Sequence, residues 1–354
     1  MNQHHYGLAI GISRYPGVSD LNGPVVDASA FHDWMVGDGR VPTGNTTLLT
    51  SPDPAVTFPD ADAGIPIKQQ VDIALRRLHT NARADIDNDR DRWRASRLYL
   101  YVAGHGIMPN GGEAALLFAN AQPGMYDNLE LGAYLTWYKQ TGIFSEVVVF
   151  ADCCRNWFPQ VPASIVPFDD PPEPGSRVFS LVGYAAGPGD PAYEQIEDDV
   201  PPDERRGYFT TAVLAGLRGA AAVDGPPYNC ITSTTLARYV SVAVAQATAG
   251  KRVPQEVQMP DEPARPIKFG PGAQQVAPPP VPTYRVSINF PGGWAAPVEL
   301  LTAGSGRLPY AGAPTPWVVD LPAGLYGVYL AGTWQTTGLR DPTFTVTEDR
   351  DVQL

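Results

Sequence analysis

The chain has 354 residues, too many for one small core, and its length fits two domains with a sizeable buried interior. Apolar residues make up 44% and charged residues 18%, the balance of a globular protein, which excludes wholesale disorder and fibrous repeats. Acidic side chains (37) outnumber basic ones (25) for a formal charge of -12, so the mean field repels phosphate backbones, arguing against nucleic acid as a partner and for peptides bearing Lys or Arg.

Residues 6–12, YGLAIGI, form a short apolar run closed by Ser13, Arg14, Tyr15, Pro16 and Gly17, the pattern of a buried strand entering a turn. Residues 27–36 carry Ala28, Phe31 and Met35 at helical spacing, and a second helix is expected over 67–82, where Val71, Leu75 and Leu78 recur. The charged stretch that follows, DIDNDRDRWR, reads as a solvated loop. Residues 98–103 (LYLYVA) and 147–151 (VVVFA) are continuous apolar runs of strand length, as in strands covered on both faces. A helix is expected between them over 129–139. Strand 178–186 and helices 208–217 and 235–247 extend the alternation, which predicts a doubly wound, mostly parallel sheet through the first 270 residues. The proline-rich stretch QQVAPPPVPT then suits an extended linker. Beyond it, VSINF, VELLTA, PWVVDL, LYGVYLAG and FTVTED predict a small antiparallel sandwich with no catalytic constellation.

The three cysteines, two of them adjacent as Cys153 and Cys154, cannot form a disulfide framework and fit a reducing cytoplasm. Residues 1–6 lack a basic segment followed by an apolar core, and no run reaches the roughly 18 apolar residues that span a bilayer. A protein neither exported nor membrane-embedded is expected.

Two strand ends carry chemistry. The run LYLYVAGHG delivers His105 between Gly104 and Gly106, and VVVFADCCRN ends in Asp152, Cys153 and Cys154. Because strand side chains alternate, Asp152 and Cys154 share one face and Cys153 takes the other. A carboxylate beside a thiol disfavours the thiolate, so Asp152 is better explained as a recognition group for a cationic side chain, with the imidazole as base. A cysteine peptidase needs a nucleophilic sulfur, a His to take and return a proton, and N–H donors for the oxyanion. Cys154, His105 and the backbone of Gly106 and Cys154 can supply all three. Taken singly, the His reads as a turn residue and the Cys as a small buried hydrophobe; what favours catalysis is their place at the ends of two successive core strands, about 50 residues apart.

At these residues the sequence resembles the caspase-like peptidases, the metacaspase branch more than animal caspases. GLAIGISRYPGVSDLNGPVVDASAF is similar to the family's opening strand, its Leu-x-Gly turn and the helix begun by Asp27. YVAGHG resembles the catalytic-His motif and ADCCRN the nucleophile motif, while RRGYFTTAVLAGL and QEVQMP look like the Gly-x-Phe-Thr helix and the closing segment. The resemblance covers roughly residues 7–268. It implies a caspase-like, mostly parallel α/β sheet flanked by helices over 1–272, a Pro-rich linker over 273–283 and a sandwich-like all-β accessory domain over 284–354. It further implies a Cys154–His105 dyad, an oxyanion site at Gly106 and Cys154, and an acidic pocket of Asp27 and Asp152 that accepts Arg or Lys. Arg14 lies near the place of the Asp-recognising Arg of animal caspases, so a preference for Asp is the minor alternative.

The family's His-Ser-Gly after the nucleophile is here Arg155, Asn156, Trp157. No metal or cofactor is needed for the chemistry. The family admits calcium as an activator, for which Asp169, Asp170, Asp198 and Asp199 are the acidic candidates, though solvated loop charge explains them too. Self-cleavage is expected, if at all, after Arg177, Arg205 or Arg206. Bacterial relatives often act in cell suicide or antiphage defence, which implies a C-terminal domain that senses a signalling nucleotide or a protein and gates the peptidase. The competing expectations are an inactive, partner-binding scaffold and a β-domain that only packs.

Overall fold

The computed structural model describes residues 2–52, 57–86, 89–110, 113–169, 177–195, 205–222, 230–260, 266–271, 283–302, 307–311, 316–322, 324–333, 339, 342–346 and 348–354. The chain divides into two compact units, Met1–Val276 and Ala277–Leu354. Asp170, Asp198, Asp199 and the linker at 273–282 lie outside the described residues.

In chain order the first unit comprises β1 (His5–Gly11), α1 (Pro24–Val36), β2 (Thr46–Thr50), α2 (Lys68–Ile86), α3 (Arg90–Arg94), β3 (Arg97–Ala103), β4 (Gly106–Asn110), β5 (Ala115–Leu117), β6 (Asn128–Glu130), α4 (Leu131–Thr141), β7 (Glu146–Asp152), β8 (Asn156–Pro162), β9 (Phe179–Tyr184), α5 (Tyr208–Ala215), β10 (Cys230–Thr232), α6 (Ser233–Ala247) and β11 (Lys268–Pro271). Five strands build a wholly parallel sheet in the order β2-β1-β3-β7-β9. This is the α/β architecture expected from the alternation of apolar runs and helices.

Strand parity sorts the core into two layers. Leu8, Ile10, Leu98, Leu100, Val102, Val147, Val149 and Ala151 pack with α2 and α4, whereas Tyr99, Tyr101, Ala103, Val148 and Phe150 pack with α1, α5 and α6. Phe31 of α1 stacks on Tyr101 at a centroid distance of 4.7 Å and meets Phe150 edge-on, which fixes α1, and with it Asp27, against the sheet.

Chain order reverses beside β1: the chain goes to β2 on one side, then returns through β3, β7 and β9 on the other. Gly11, Ala103 and Asp152 stand side by side in register at the carboxyl edge of this switch, where open sheets of this kind gather their binding groups.

Three expectations are corrected. The charged stretch is not all loop: Asp89 accepts hydrogen bonds from the N–H groups of Asp91 and Arg92 and so starts α3. One sheet does not account for the whole first unit, because β6-β5-β4-β8 form a second sheet and β10-β11 a two-stranded one. The runs that build them are too short or too rich in Gly and Pro to show a period. The small domain, with β12 (Thr283–Asn289), β13 (Val298–Thr302), β14 (Arg307–Tyr310), β15 (Trp317–Pro322), β16 (Gly324–Leu330), β17 (Thr343–Val346) and β18 (Arg350–Gln353), has a four-stranded antiparallel sheet β14-β13-β16-β17 and a three-stranded sheet β15-β12-β18. In the latter, β12 and β18 are parallel. Val286, Ile288, Val298, Leu300, Val328 and Val346 close its core. Among the described residues no helix is long and apolar enough to cross a membrane.

Candidate active site

His105 follows β3 on a turn that calls for glycine at position 104. Gly104 has φ +155°, and a Cβ there would crowd the Tyr15 hydroxyl at 2.5 Å and Leu116 at 2.8 Å. The buried Tyr15 hydroxyl accepts the His105 backbone N–H (2.9 Å), donates to Leu117 O (3.2 Å), and its ring lies 4.8 Å from the imidazole. Nε2 of His105 sits 2.7 Å from Ser19 O. A carbonyl can only accept, so Nε2 carries the hydrogen and the Nδ1 lone pair remains for a proton.

Cys153 and Cys154 part company as strand parity demands. Cys153 is sealed in the core layer of Val149 and Ala151, where burial pushes its thiol far above the ordinary range. Cys154 is half-buried. Its Sγ receives the Ala192 N–H at 3.3 Å and faces Ala192 O at 3.8 Å. Burial raises the Cys154 thiol, and the charges of Asp152 and Glu194 add to it, against the opposing Ala192 N–H. At rest the Cys154 sulfur is therefore a thiol. Gly106 abuts the Cys154 carbonyl and the Cys153 side chain so closely that a Cβ would collide with both. The peptides of Gly106 and Cys154 thus lie side by side.

The expected acidic pair is assembled at the start of α5. Asp27 Oδ2 accepts the Gly207 N–H (2.8 Å), while Asp152 Oδ2 accepts the Thr210 N–H (3.1 Å) and hydroxyl (2.6 Å). A Cβ on Gly207 would strike the Asp152 carboxylate, which explains the glycine of the Gly-x-Phe-Thr motif. Burial first, then the charge of Asp152, holds the Asp27 carboxyl well above the carboxylate range. Burial pushes Asp152 up to about 6, against the two Thr210 hydrogen bonds. Asp27 Oδ1 is buried without a hydrogen-bond partner.

Asp27, Asp152, His105 and Cys154 line one cleft of about 110 Å³ with Leu21, Ala192 and Glu194. Sequence reasoning missed Glu194, which sits in an acidic stretch that reads as a flexible loop. Its carboxylate accepts the N–H groups of Gly23 (3.1 Å) and Asn22 (3.3 Å), tying the 192–195 wall to the turn before α1. Also missed were Tyr15, Ser19 and Ala192, which act through ring, carbonyl and amide groups that no motif advertises. Arg14 is paired with Asp20 (3.0 Å) and is not among the cleft-lining residues. Among the described residues no cluster of three or more His, Cys, Asp or Glu could hold a metal ion.

No protein-family model matches the chain. A curated protein of a Desulfuromonadales bacterium, described as a probable protease, is 30% identical over 232 residues, which cover 61% of this chain and 26% of that protein. The chain thus matches about a quarter of that relative's length. Among solved structures, the chain is similar to caspase-1 from Spodoptera frugiperda (13% identity, TM-score 0.48, 78% of this chain and 92% of that one) and to the pro-form described as pro-sf-caspase-1 (12%, 0.44, 76% and 91%). None of these matches singles out the metacaspase branch.

The buried acids make a stability prediction with a definite sign. A carboxyl whose folded value is raised stabilises the native state only while protonated, and that contribution is lost as pH rises through the folded value. Asp27→Asn should therefore stabilise the fold at pH 7.5 by on the order of 1 kcal/mol, read as a higher urea midpoint. The gain should shrink as pH falls toward 4; a variant less stable than wild type at pH 7.5 would refute the burial cost.

Proposed function

We propose that the first unit is a cysteine endopeptidase that cuts after Arg or Lys, with Cys154 as nucleophile, His105 as general base and acid, and Asp27, Asp152 and Glu194 receiving the cationic side chain. The observation that carries this reading is the single cleft in which a half-buried thiol, an imidazole with its Nδ1 lone pair available and three carboxylates converge. In the proposed reaction Sγ attacks the scissile carbonyl while its proton passes to Nδ1, and the N–H groups of Gly106 and Cys154 receive the oxyanion. The imidazolium then protonates the leaving amine, and water hydrolyses the thioester by the reverse relay.

The preference for cations follows from the same charges that hold the thiol protonated. A guanidinium or ammonium in the cleft offsets Asp152 and Glu194, removing two of the causes that raise Cys154. Recognition and activation of the nucleophile are coupled, and an apolar side chain would leave the sulfur less acidic.

In a P1-scanning peptide library, Cys154→Ala and His105→Ala should lose more than 10³-fold in Arg-P1 hydrolysis, consistent with loss of a nucleophile or its base. Cys153→Ala should retain activity, and Asp152→Ala should lose its preference for Arg and Lys over neutral residues. Activity in Cys154→Ala would sink the assignment, and a wild type that cleaves nothing, with or without calcium, would leave the partner-binding scaffold as the better reading.

Self-processing is part of the proposal. The Arg206–Gly207 peptide is held on both sides, since Gln195 N–H donates to Arg206 O (2.9 Å) and Gly207 N–H to Asp27. Cleavage after Arg177 or Arg205 is therefore favoured over Arg206. Mass-spectrometric mapping should find such fragments in wild type and not in Cys154→Ala; identical fragments in both would end the idea.

The wider role we propose is a reducing cytoplasm and a regulated bacterial cell-death or antiphage response, in which unit Ala277–Leu354 binds a signalling nucleotide or protein and gates cleavage. The three free cysteines support the compartment, and the small unit's own core supports a separable module. Removing it should give constitutive or uninducible cleavage; a soluble truncation with unaltered regulation would refute gating.

A further inference from the structure

The turn from Ser13 to Leu21 holds His105 at more points than its Nε2 contact. Strands β4 and β5 pair antiparallel with Gly106 opposite Leu116 and Ile107 opposite Ala115, a register that puts His105 opposite Leu117 at the next rung. In alternate rungs of such a pair the facing residues exchange two N–H···O bonds. One of the two is made, from the Leu117 N–H to His105 O (2.9 Å). The other is interrupted: the His105 N–H donates to the Tyr15 hydroxyl (2.9 Å), and the hydroxyl donates to Leu117 O (3.2 Å). A side-chain oxygen is thus spliced into the rung, and it holds the two backbones farther apart than a direct bond of about 2.9 Å would.

The hydroxyl suits this place. Tyr15 is buried, and burial pushes its hydroxyl above the ordinary range, so it stays protonated and can accept and donate at once. Gly104 supplies the room, since a Cβ there would stand 2.5 Å from the same oxygen. The ring that carries the hydroxyl lies 4.8 Å from the imidazole. Asp20 then locks the turn: Oδ1 accepts the Tyr15 N–H (2.9 Å), and Oδ2 lies 3.0 Å from Arg14 Nε. Its neighbour Ser19 provides the carbonyl at Nε2. The Leu21 N–H closes the turn on Ser13 O (2.8 Å), and Gly17 presses so closely on Ala121 O that a Cβ would meet it at 2.5 Å.

We infer that Tyr15 is a positioning residue for the proposed reaction, a hydroxyl spacer that keeps the His105 rung open and so aims the imidazole, with Asp20 fixing the turn that carries it. The inference rests on the peptidase reading given above. Without the hydroxyl, the His105 N–H is free to close directly on Leu117 O. That closure draws the start of β4 toward β5 and moves the imidazole and the neighbouring Gly106 N–H relative to the Cys154 sulfur. Misplacement of reacting groups by about 1 Å costs on the order of 10²-fold in rate, so the effect belongs in kcat. The carboxylates proposed to receive the cation are anchored separately, on α5, so KM and the choice of P1 residue should stay put.

The test compares wild type, Tyr15→Phe and Asp20→Ala in steady-state cleavage of Arg-P1 and neutral-P1 peptides, beside nitrogen NMR of the imidazoles, in which the His105 signals are those lost in His105→Ala. Phe keeps the ring and removes only the spliced oxygen. The Asp20 side chain is 49% exposed, so its truncation leaves the core intact. Tyr15→Phe should lower kcat about 10- to 100-fold with KM and P1 preference within about threefold, and Asp20→Ala should lower kcat by roughly three- to tenfold. His105 should show one tautomer, with the hydrogen on Nε2, in wild type and a mixture of the two in both variants. Unchanged kcat and an unchanged His105 tautomer in folded Tyr15→Phe would overturn the inference; should that variant not fold, the same null result in Asp20→Ala would do so. A wild type that cleaves no peptide would refute the peptidase reading instead, and the imidazole spectra would still decide whether Tyr15 and Asp20 position the ring.

Discussion

The site depends on two carboxyl groups, Asp27 and Asp152, being held out of water at the carboxyl edge of a parallel sheet. Such burial is unfavourable for charged oxygens, and what offsets it is the first turn of α5. The N–H groups of Gly207 and Thr210, which a helix of this kind leaves without internal partners, each donate to one acid, and the positive end of the helix faces both. The glycine is forced by the closeness of Asp152, and the threonine adds its hydroxyl while meeting the Tyr101 hydroxyl at 2.5 Å. A segment far along the chain is thereby committed to residues on α1 and β7.

That commitment sets the electrostatics of the sulfur. Asp152 ends β7 and Cys154 follows two positions later in the same cleft, so whatever neutralises the acid reaches the thiol. Within the cleft the charge of Asp152 adds to burial in keeping the Asp27 carboxyl protonated. A guanidinium would discharge that proton and stabilise both carboxylates. On the proposed reading, substrate charge is then a switch on reactivity as well as a handle for binding, and a site built in this way gains little from neutral side chains.

Much of this was legible in the sequence because strands with both faces covered leave long apolar runs: LYLYVA and VVVFA marked β3 and β7, and the parity of ADCC separated Cys153 from Cys154. Asp27 and Asp152 were legible through the resemblance of their surroundings. Other parts were not. Strands β4, β5, β6 and β8 are short, and their residues GIMPN and NWFPQVP show no alternation, so the second sheet is defined by pairing and not by local pattern. Glu194 was hidden for another reason. Its role comes from where its carboxylate ends up, against the amides of Asn22 and Gly23, and an acidic loop carries no sign of such a distant partner. Ser19 and Ala192 contribute main-chain atoms, which are the same in every sequence.

Arg155 shows how one buried cation can hold several segments together. Directly after Cys154, a buried guanidinium has Glu113, Gln258 and the face of Tyr184 around it. The field of this cation lowers the Cys153 thiol, which is sealed in the core, while the charges of Asp152 and Glu194 raise that of Cys154. The Arg155 side chain holds three segments together, and on the proposed reading the sulfur is made reactive by the imidazole and by the cation of the substrate. The planar guanidinium forks between Glu113 and Gln258 while covering the tyrosine ring, and its Nε is buried without a hydrogen-bond partner.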